Sequence, residues 1–544
     1  MHDRLGGIEP DLVVVGGGIN GAGVARDAAL RGFRVLLLEK DDFGAGASSK
    51  TSKLVHGGLR YLEYGALRLV WEACRERRLL LRLAPHLVRP LPCVFPVYRG
   101  ARIGPLRLAA GMWLYDLLAA FRNVRRHRLL SPRRAAAWSD GLRRDGLRGA
   151  ALYYDAVMDD ARLVLANVLS AREAGAVTLN GVEAVRLCVD EGRVTGVEVR
   201  EVASGATARV CAPCVVGALG PWTNSFLGQL SGAPRPLAPT RGTHLVVRLL
   251  AEQAFTLAAG RDGRIFFVLP WLGLTLIGTT DVEDEGDADR VAPTSEEIDY
   301  LLSEVERYLP AAGLQRTDVV GVFAGLRPLL CAAGETSARS REHAILEPAA
   351  GLLVVAGGKY TTYRAVAEQV VDRIAGRLGR RGACRTAREP LPGGDLGWSA
   401  ADHWSGGPGF EAAVRECARE HEVLPGAARH VLATYGSRAR MVLEHLRRDP
   451  GLAAPLCPHQ PHLRAEVVHA LRVEMALHLD DWFLRRSHMA YGDCHGLDAV
   501  DGVADLFAAE LGWSRERRAA EVARCRSILE GAGLSRSPAS SRAL

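Results

Sequence analysis

Lysine is rare in this chain. Of the 69 lysine and arginine residues only four are lysine, namely Lys40, Lys50, Lys53 and Lys359. Because an amine is compact and titratable where a guanidinium is not, these positions are candidates for roles that arginine cannot fill. The formal net charge is +7 and no long basic run occurs, so we do not expect a nucleic-acid-binding protein.

Long uncharged apolar runs are also missing. No run reaches the roughly 18–20 residues that a membrane span needs, and no segment of the signal-peptide type precedes the first apolar strand near Asp11. The eleven cysteines are scattered, and Cys211 and Cys214 form a single C-x-x-C pair without a nearby histidine. We therefore expect a reducing, cytoplasmic compartment and no bound metal.

Two regions differ in their patterns. Apolar strands and helices alternate up to about residue 390, whereas the segment after the Pro/Gly-rich break at 389–397 is helical, charged and without strand-like runs. Residues 531–544, rich in serine, are expected to be a disordered tail. The sequence thus predicts an α/β part followed by a helical C-terminal domain.

The α/β part begins with a strand, a glycine turn, a helix and a second strand over residues 11–40. Gly16, Gly18 and Gly21 form G-x-G-x-x-G at the turn, which lets the backbone and the helix N-terminus approach a pyrophosphate. Glu39 ends the second strand, where a carboxylate can hold ribose hydroxyls. Ile19 and Asn20 lie inside the turn and complete the predicted dinucleotide contacts.

The segment that follows distinguishes between nicotinamide and flavin cofactors. Residues 44–63, GAGASSKTSKLVHGGLRYLE, form a long Ser/Gly/Lys loop where a nicotinamide enzyme would continue with another α/β repeat. A flavin needs such coverage because its ring system must be wrapped and held. The small hydroxyls suited to phosphate and flavin edges are Ser48, Ser49, Thr51 and Ser52.

Six segments resemble one known family. They are VVVGGGINGAGVARDAALRG, SSKTSKLVHGGLRYLE, DDARLVLANV, LIGTTDVE, GLRPLL and GGKYTTYR, and their order and spacing also match. The sequence resembles the FAD-dependent, respiratory glycerol-3-phosphate dehydrogenase family over about residues 10–375, with weaker similarity at LPGGDLG and EMALHLDDWFLRRS.

The resemblance implies an α/β fold with three domains. The first is a Rossmann-like FAD-binding domain of the glycine and D-amino-acid oxidase type, formed by residues 1–85, 151–235 and 336–385. An antiparallel-sheet substrate domain (86–150 and 236–335) and a helical C-terminal domain (386–530) follow. Further FAD contacts are expected at Lys53, Leu54, His56, Gly57, Gly58, Val182, Gly220, Gly358, Lys359 and Thr361.

The implied reaction is oxidation of sn-glycerol 3-phosphate to dihydroxyacetone phosphate, with hydride passed to FAD. A phosphate monoester favours planar, permanently charged donors, so Arg60, Arg327 and Arg341 are the candidate clamp, with Tyr61 beside them. Lys359 could stabilise developing negative charge. Asp281 is expected to order loops or orient a cation rather than to catalyse.

Two histidines compete for the role of proton acceptor. His56 lies on the loop of residues 44–63, which we call the flavin loop, four residues before Arg60, so base and clamp could share one wall. His244 begins a substrate-domain strand and is the rival. An ordinary imidazole has a pKa of about 6.5, which leaves it neutral and basic at working pH. The sequence favours His56 without excluding His244.

Residues 105–128 combine an apolar run with aromatic side chains and four following arginines, as in helices that lie in a membrane interface. A core helix beside a basic surface is an equal interpretation. The resemblance implies a peripheral enzyme of the cytoplasmic membrane that passes electrons to quinone, and it allows a homodimer. Open alternatives are an oxidase that releases hydrogen peroxide, an amino-acid oxidase on the same scaffold, and a flavin-binding protein without activity.

Overall fold

The structure is a computed structural model that describes residues 7–138, 141–331, 342–380, 382–492 and 494–532. Its first domain is built on a six-stranded sheet whose strands are parallel apart from the first pair. In spatial order these strands are His343–Ala349, Leu352–Gly357, Val215–Gly217, Leu12–Val15, Val35–Leu38 and Val177–Leu179.

Both faces of this sheet are covered, which explains why its central strands are apolar throughout. On one face Leu12 and Val14 pack with the helices Ile19–Leu30, Asp160–Glu173 and Tyr363–Arg377. On the other face Val13 and Val15 pack against a three-stranded antiparallel sheet, formed by Val182–Asp190, Arg193–Glu201 and Thr207–Cys211. The predicted βαβ unit at residues 11–40 is therefore confirmed.

The second domain is built on a ten-stranded sheet in which one pair, Val88–Tyr98 with Ala254–Ala258, is parallel and the other pairs are antiparallel. Eight strands follow in the order Val282–Glu283, Thr240–Arg248, Leu274–Gly278, Ile265–Trp271, Ala254–Ala258, Val88–Tyr98, Leu147–Met158 and Leu54–Val55. Val319–Arg327 pairs with Thr240–Arg248, and Arg128–Leu130 with Leu147–Met158.

The strand pairing in this sheet differs from one predicted domain boundary. Leu147–Met158 pairs with Val88–Tyr98 along almost its whole length, so the expected boundary between 150 and 151 falls inside a strand of the second sheet. Leu54–Val55, from the flavin loop, pairs with the same strand. The sequence pattern could not show this because long-range pairing, rather than local composition, assigns a strand to its sheet.

Five helices cover the second sheet and the edge of the first. Their bounds are Leu67–Leu83, Pro105–Leu118, Pro132–Trp138, Thr223–Leu227 and Ser295–Glu306. The helix Pro105–Leu118 ends well short of residue 128, so the arginines that follow it lie in an irregular segment and at the start of a strand.

The C-terminal domain is helical, as predicted, except for one hairpin. Its helices are Ala400–Ser405, Pro408–Glu420, Pro425–Tyr435, Ala439–Leu443, Arg464–Arg472, Leu479–Asp481, Val500–Leu511 and Arg515–Ala532. The hairpin pairs Pro455–Cys457 with Gln460–Leu463 and corrects the expectation that strands are absent here. Residues 531 and 532 belong to the last helix, while 533–544 of the expected tail lie outside the described residues.

Buried ion pairs attach this domain to the first. Asp42, at the start of the flavin loop, accepts hydrogen bonds from both Arg485 and Arg486. Arg162 donates to Glu474 Oε1 at 2.7 Å. Since an unpaired buried charge is costly, these pairs fix how the C-terminal domain sits on the flavin loop.

Candidate active site

A cavity of about 1010 Å³ opens at the carboxyl ends of the parallel strands and extends to the second sheet. A site at this edge is typical of open α/β sheets. Most residues predicted to bind cofactor or substrate line it: Gly16, Gly18, Ile19, Asn20, Glu39, Ser48, Thr51, Ser52, Leu54, His56, Arg60, Tyr61, Val182, Gly220, His244, Arg327, Gly358, Lys359 and Thr361. Arg341 lies outside the described residues.

The glycine turn is packed too tightly for any other residue. Gly16 has φ +104°, and a Cβ there would lie 2.5 Å from the Ala218 carbonyl oxygen. A Cβ on Gly21 would lie 1.8 Å from the oxygen of Gly16, so Gly21 lets the helix approach the turn and does not itself line the cavity. Gly18 faces the cavity beside Ser48 Oγ. The turn leaves room for a pyrophosphate against the backbone.

Two side chains hold the turn in place. Glu39 accepts hydrogen bonds from the backbone N–H of Gly17 at 2.7 Å and of Asp41 at 3.0 Å. Burial raises the pKa of the Glu39 carboxyl to about 7, although both N–H donors act in the opposite direction. Ser48 Oγ accepts from the Ile19 N–H at 3.0 Å. Glu39 thus holds the turn and lines the cavity, and its contact with ribose hydroxyls stays a prediction.

The flavin loop is anchored by the carboxylate of Asp160. Thr51 Oγ1 donates to Asp160 Oδ2 at 2.7 Å, and Lys53 Nζ donates to Asp160 Oδ1 and to the Ser49 carbonyl, each at 2.7 Å. Lys53 is 2% exposed and, like Ser49, does not line the cavity. Lys53 and Ser49 were predicted to contact the cofactor. A buried amine needs a countercharge, and here Lys53 pairs with Asp160 and holds the flavin loop from the side away from the cavity.

A second buried carboxylate positions the His-Gly-Gly segment. Asp155 accepts from the Gly57 N–H at 3.0 Å, from the Tyr115 hydroxyl at 2.7 Å and from Arg77. A Cβ on Gly57 would lie 2.2 Å from the Tyr115 oxygen, and Gly58 has φ +79°. These two glycines do not line the cavity. They allow the close turn that presents His56 to it.

The two candidate histidines have different surroundings. His56 lines the cavity between the rings of Tyr61 and Phe267, at centroid distances of 6.2 and 6.4 Å. His244 is buried against Phe323 at 5.0 Å, with Nε2 2.8 Å from Ser52 Oγ. Burial and the positive charge of Arg327, among others, lower the pKa of His244 well below its ordinary value. His244 is therefore neutral over the whole physiological range and a weak base.

Arg327 is held rigidly at the cavity wall. Nη1 donates to Asp281 Oδ1 at 2.9 Å, while Nη2 donates to Thr279 Oγ1 at 2.6 Å and to the Thr280 carbonyl at 2.9 Å. A Cβ on Gly242 would lie 2.3 Å from Nη2 and 2.6 Å from Thr279 Oγ1, so a larger residue there would displace the guanidinium from these bonds. This arrangement agrees with the expectation that Asp281 orients a cation.

Further along the wall, Lys359 Nζ lies 3.3 Å from the centroid of the Tyr61 ring. Arg264 also lines the cavity and donates to the Asp281 carbonyl, a position that sequence reasoning missed. Its segment, RIFFVLP, gave a strand signal only, and nothing local distinguishes Arg264 from the many other arginines. Arg60, Arg264, Arg327 and Lys359 are four of the eight cationic side chains that line the cavity among the described residues, the others being Lys40, Lys50, Arg107 and Arg200.

A Gly-rich turn at the sheet edge, a glycine-lined cradle and a second sheet carrying histidine and arginine define a flavin-dependent oxidoreductase. The comparison with known families agrees: residues 11–373 match "FAD dependent oxidoreductase" and residues 384–518 match "C-terminal domain of alpha-glycerophosphate oxidase". The cofactor of this class is FAD. The size of the cavity and the glycine turn at Gly16 and Gly18, which lines it, both fit this cofactor.

Comparison with individual proteins shows which family of flavin-dependent oxidoreductases the chain belongs to. A glycerol-3-phosphate dehydrogenase of Synechocystis sp. is 37% identical over 96% of both chains. The structure of glycerol-3-phosphate dehydrogenase from Bacillus halodurans, complexed with FAD, superposes with a TM-score of 0.80 at 28% identity and 97% coverage of both chains. Glycine oxidase from Bacillus cereus shares the fold over 69% of this chain and 99% of its own, with a TM-score of 0.52 and 19% identity. The chain belongs to the glycerol-3-phosphate dehydrogenase family.

Over the residues that the structure describes, no helix is both long enough and apolar enough to cross a membrane.

Gly18→Val tests whether the glycine turn binds FAD. A valine there would fill the space beside Ser48 Oγ that the pyrophosphate needs, and overpacking of this kind costs about 1–3 kcal/mol, or roughly 5- to 150-fold in FAD affinity. We expect wild-type protein to purify yellow and the variant to lose flavin, measured by absorption at the flavin bands. Gly426→Val, at an open position in the C-terminal domain, is the control and should keep its flavin. Equal flavin content in the two variants would contradict the assignment.

Proposed function

We propose that this protein oxidises sn-glycerol 3-phosphate to dihydroxyacetone phosphate and delivers the electrons to a membrane quinone. The observation that supports the substrate best is Arg327, fixed at the wall of the flavin cavity by Asp281 and two threonine contacts. A planar guanidinium in a fixed orientation suits a phosphate monoester. Relatives of nearly the same length are named glycerol-3-phosphate dehydrogenases.

The other cations support a doubly charged substrate. Arg60 comes from the flavin loop, Arg264 and Arg327 from the second sheet, and all three line one cavity. A single carboxylate, as in an amino acid, would need fewer positive partners. We therefore favour phosphate over the amino-acid substrates of other enzymes with this fold.

The reaction needs a hydride acceptor, a base and a clamp. Bound FAD supplies the acceptor. In the proposed arrangement Arg327 holds the phosphate, and the His56 imidazole takes the proton of the substrate hydroxyl. Lys359 places a positive charge at the cavity wall, where it stabilises developing negative charge. His244, neutral and close to Ser52, supports the flavin loop.

Arg327→Ala tests the phosphate clamp. Hydrogen bonds to charged groups contribute about 1.5–3 kcal/mol each, so losing two should lower kcat/KM for glycerol 3-phosphate by roughly 10²–10⁴-fold. The preference over unphosphorylated glycerol should shrink by a similar factor, while flavin content stays constant. Arg316→Ala removes a surface ion pair with Asp299 and should change neither value. An unchanged preference in Arg327→Ala would show that Arg327 does not bind phosphate.

His56→Asn tests the base. Losing a general base typically lowers the rate about 10²–10⁴-fold, so anaerobic flavin reduction in a single turnover should slow by that factor. The acidic limb of its profile between pH 5 and pH 9 should flatten. Because the pKa of His244 is lowered well below its ordinary value, we expect His244→Asn to keep the limb. If His244→Asn loses the limb and His56→Asn keeps it, the assignment is reversed.

A quinone acceptor requires access to the membrane, and one surface is suited to it. On the helix Pro105–Leu118 and just after it, Leu106, Trp113, Leu117 and Phe121 are 88, 55, 58 and 42% exposed.

The helix Leu67–Leu83, which packs against this one, adds more exposed apolar side chains. Tyr64, Leu67 and Trp71 are 56, 44 and 48% exposed on that helix and on the turn before it. We call these seven residues the apolar patch.

Arginines surround the apolar patch. Arg107, Arg122, Arg125 and Arg126 are all exposed near it. Apolar side chains that enter the acyl region, with cations at the level of anionic headgroups, are typical of interfacial helices. The helix and its neighbours also line the flavin cavity, through Leu108, Gly111 and Leu114 among others. The patch thus adjoins the site that must release electrons, which favours quinone over oxygen.

The double variant Leu106→Glu with Trp113→Glu tests this surface. It should lower sedimentation with anionic phospholipid vesicles and slow the reduction of vesicle-embedded quinone by about tenfold or more, since each buried side chain lost costs about 1.5–3 kcal/mol. Anaerobic flavin reduction by glycerol 3-phosphate should be unaffected. Leu424→Glu, at another exposed leucine, is the control. Hydrogen peroxide formed in one-to-one ratio with product, without quinone dependence, would instead establish an oxidase.

A further inference from the structure

The C-terminal domain contains a cluster that the flavin reaction does not use. The side chains of His430, His462 and Glu466 each bring one nitrogen or oxygen atom to a common point, and these three atoms lie within 4.8 Å of one another. None of the three residues lines the flavin cavity. The sequence gave no sign of the cluster, because His430 lies 32 residues before His462 and no metal-binding spacing connects them.

Three neighbouring elements bring these side chains together. His430 lies on the helix Pro425–Tyr435, His462 on the strand Gln460–Leu463, and Glu466 on the first turn of the helix Arg464–Arg472. Glu466 Oε1 accepts the Leu463 N–H at 2.8 Å. This bond fixes the carboxylate so that Oε2 faces both imidazoles, as an outer hydrogen bond commonly orients a metal-binding carboxylate.

The distances match a tetrahedral ion. Glu466 Oε2 lies 3.1 Å from His430 Nε2 and 3.5 Å from His462 Nδ1. With metal–ligand bonds of about 2.0–2.2 Å, two ligands of a tetrahedral zinc ion are about 3.3–3.5 Å apart. The ring centroids of the two histidines are 4.2 Å apart with their planes at 79°, so their nitrogen atoms can converge without the rings colliding.

The burial of these side chains favours a bound metal ion over hydrogen bonding among the three residues alone. Glu466 and His462 are 1% and 5% exposed, and His462 Nδ1 makes no hydrogen bond to any residue that the structure describes. A buried polar atom without such a bond is costly. Val431, Leu463 and Val468, each within two residues of a member of the cluster, belong to the apolar core of the domain, and an apolar setting is common around metal sites. The His430 side chain is 18% exposed and offers a route for an ion.

We propose that His430, His462 and Glu466 form a binding site for one divalent transition-metal ion of the zinc type. Two imidazoles and one carboxylate are a donor set that zinc accepts, with water in the fourth position. The ion would link a helix, a hairpin strand and a second helix in a domain that has little sheet structure. Its role is to stabilise the C-terminal domain.

Cobalt(II) is a suitable probe because its visible absorption reports coordination. The full-length protein with its FAD is first treated with a chelator and dialysed, then titrated with Co²⁺. We expect one equivalent to bind with the intense visible bands of tetrahedral coordination, read as a difference spectrum against the flavin. One equivalent of Zn²⁺ should displace it and raise the unfolding temperature.

His430→Gln is the variant of choice because His430 is the most exposed ligand, and retained FAD absorption will show that the chain is folded. Since losing even a supporting residue typically weakens metal binding about 10- to 100-fold, losing this ligand should weaken Co²⁺ binding by at least about 100-fold. His459→Gln is the control, at an exposed position on the turn of the same hairpin.

Equal Co²⁺ binding by wild type and His430→Gln would overturn the proposal, as would octahedral spectra or a wild-type protein that binds no cobalt at millimolar concentration. In those cases His430 only hydrogen-bonds to Glu466, and His462 only packs beside them. The wild-type titration decides the question even if the variant does not fold.

Discussion

The carboxylate of Asp160 joins the parts of the flavin site. It is fully buried at the first turn of the helix Asp160–Glu173, where the helix dipole favours a negative charge. Its two oxygens bind Thr51 and Lys53 of the flavin loop, and its backbone carbonyl accepts a hydrogen bond from the hydroxyl of Tyr360, in the turn that follows the strand Leu352–Gly357. Loop, helix and turn are far apart in sequence, and Asp160 joins them through its carboxylate and its backbone carbonyl.

The second sheet supplies the substrate half of the site through its register. The strand Thr240–Arg248 pairs with Val319–Arg327 on one side, so that Thr240 stands opposite Arg327 and His244 opposite Phe323. On its other side it pairs with Leu274–Gly278, and the chain then leads directly to Asp281. Because a shift of one residue would turn every side chain to the opposite face, this register determines which cations enter the cavity.

Buried charged contacts hold the C-terminal domain against the FAD-binding domain. Arg485 and Arg486 are buried against Asp42, and the pKa of the Asp42 carboxyl is held below its ordinary value by those two guanidinium groups against the effect of burial. His488 Nε2 lies 2.8 Å from Asp159, next to Asp160. Movement of the C-terminal domain would therefore disturb the flavin loop both near its start, at Asp42, and near its middle, where Asp160 binds Thr51 and Lys53.

The sequence by itself determined the local elements of this protein. The βαβ unit, the glycine turn and Glu39 were predictable because backbone sterics and apolar periodicity act over a few residues. The motif segments pointed to the family, and most of the residues taken from them line one cavity.

Only the tertiary structure decided which polar groups meet. Lys53 pairs with Asp160 across 107 residues and Arg327 with Asp281 across 46, and no local pattern encodes such partners. Burial distinguishes His244 from His56, since it lowers the pKa of His244. The sequence of the strand that carries His244 does not indicate this burial. The edge strand at 54–55, the hairpin after residue 454 and the His430 cluster follow from long-range packing, which local sequence patterns do not specify.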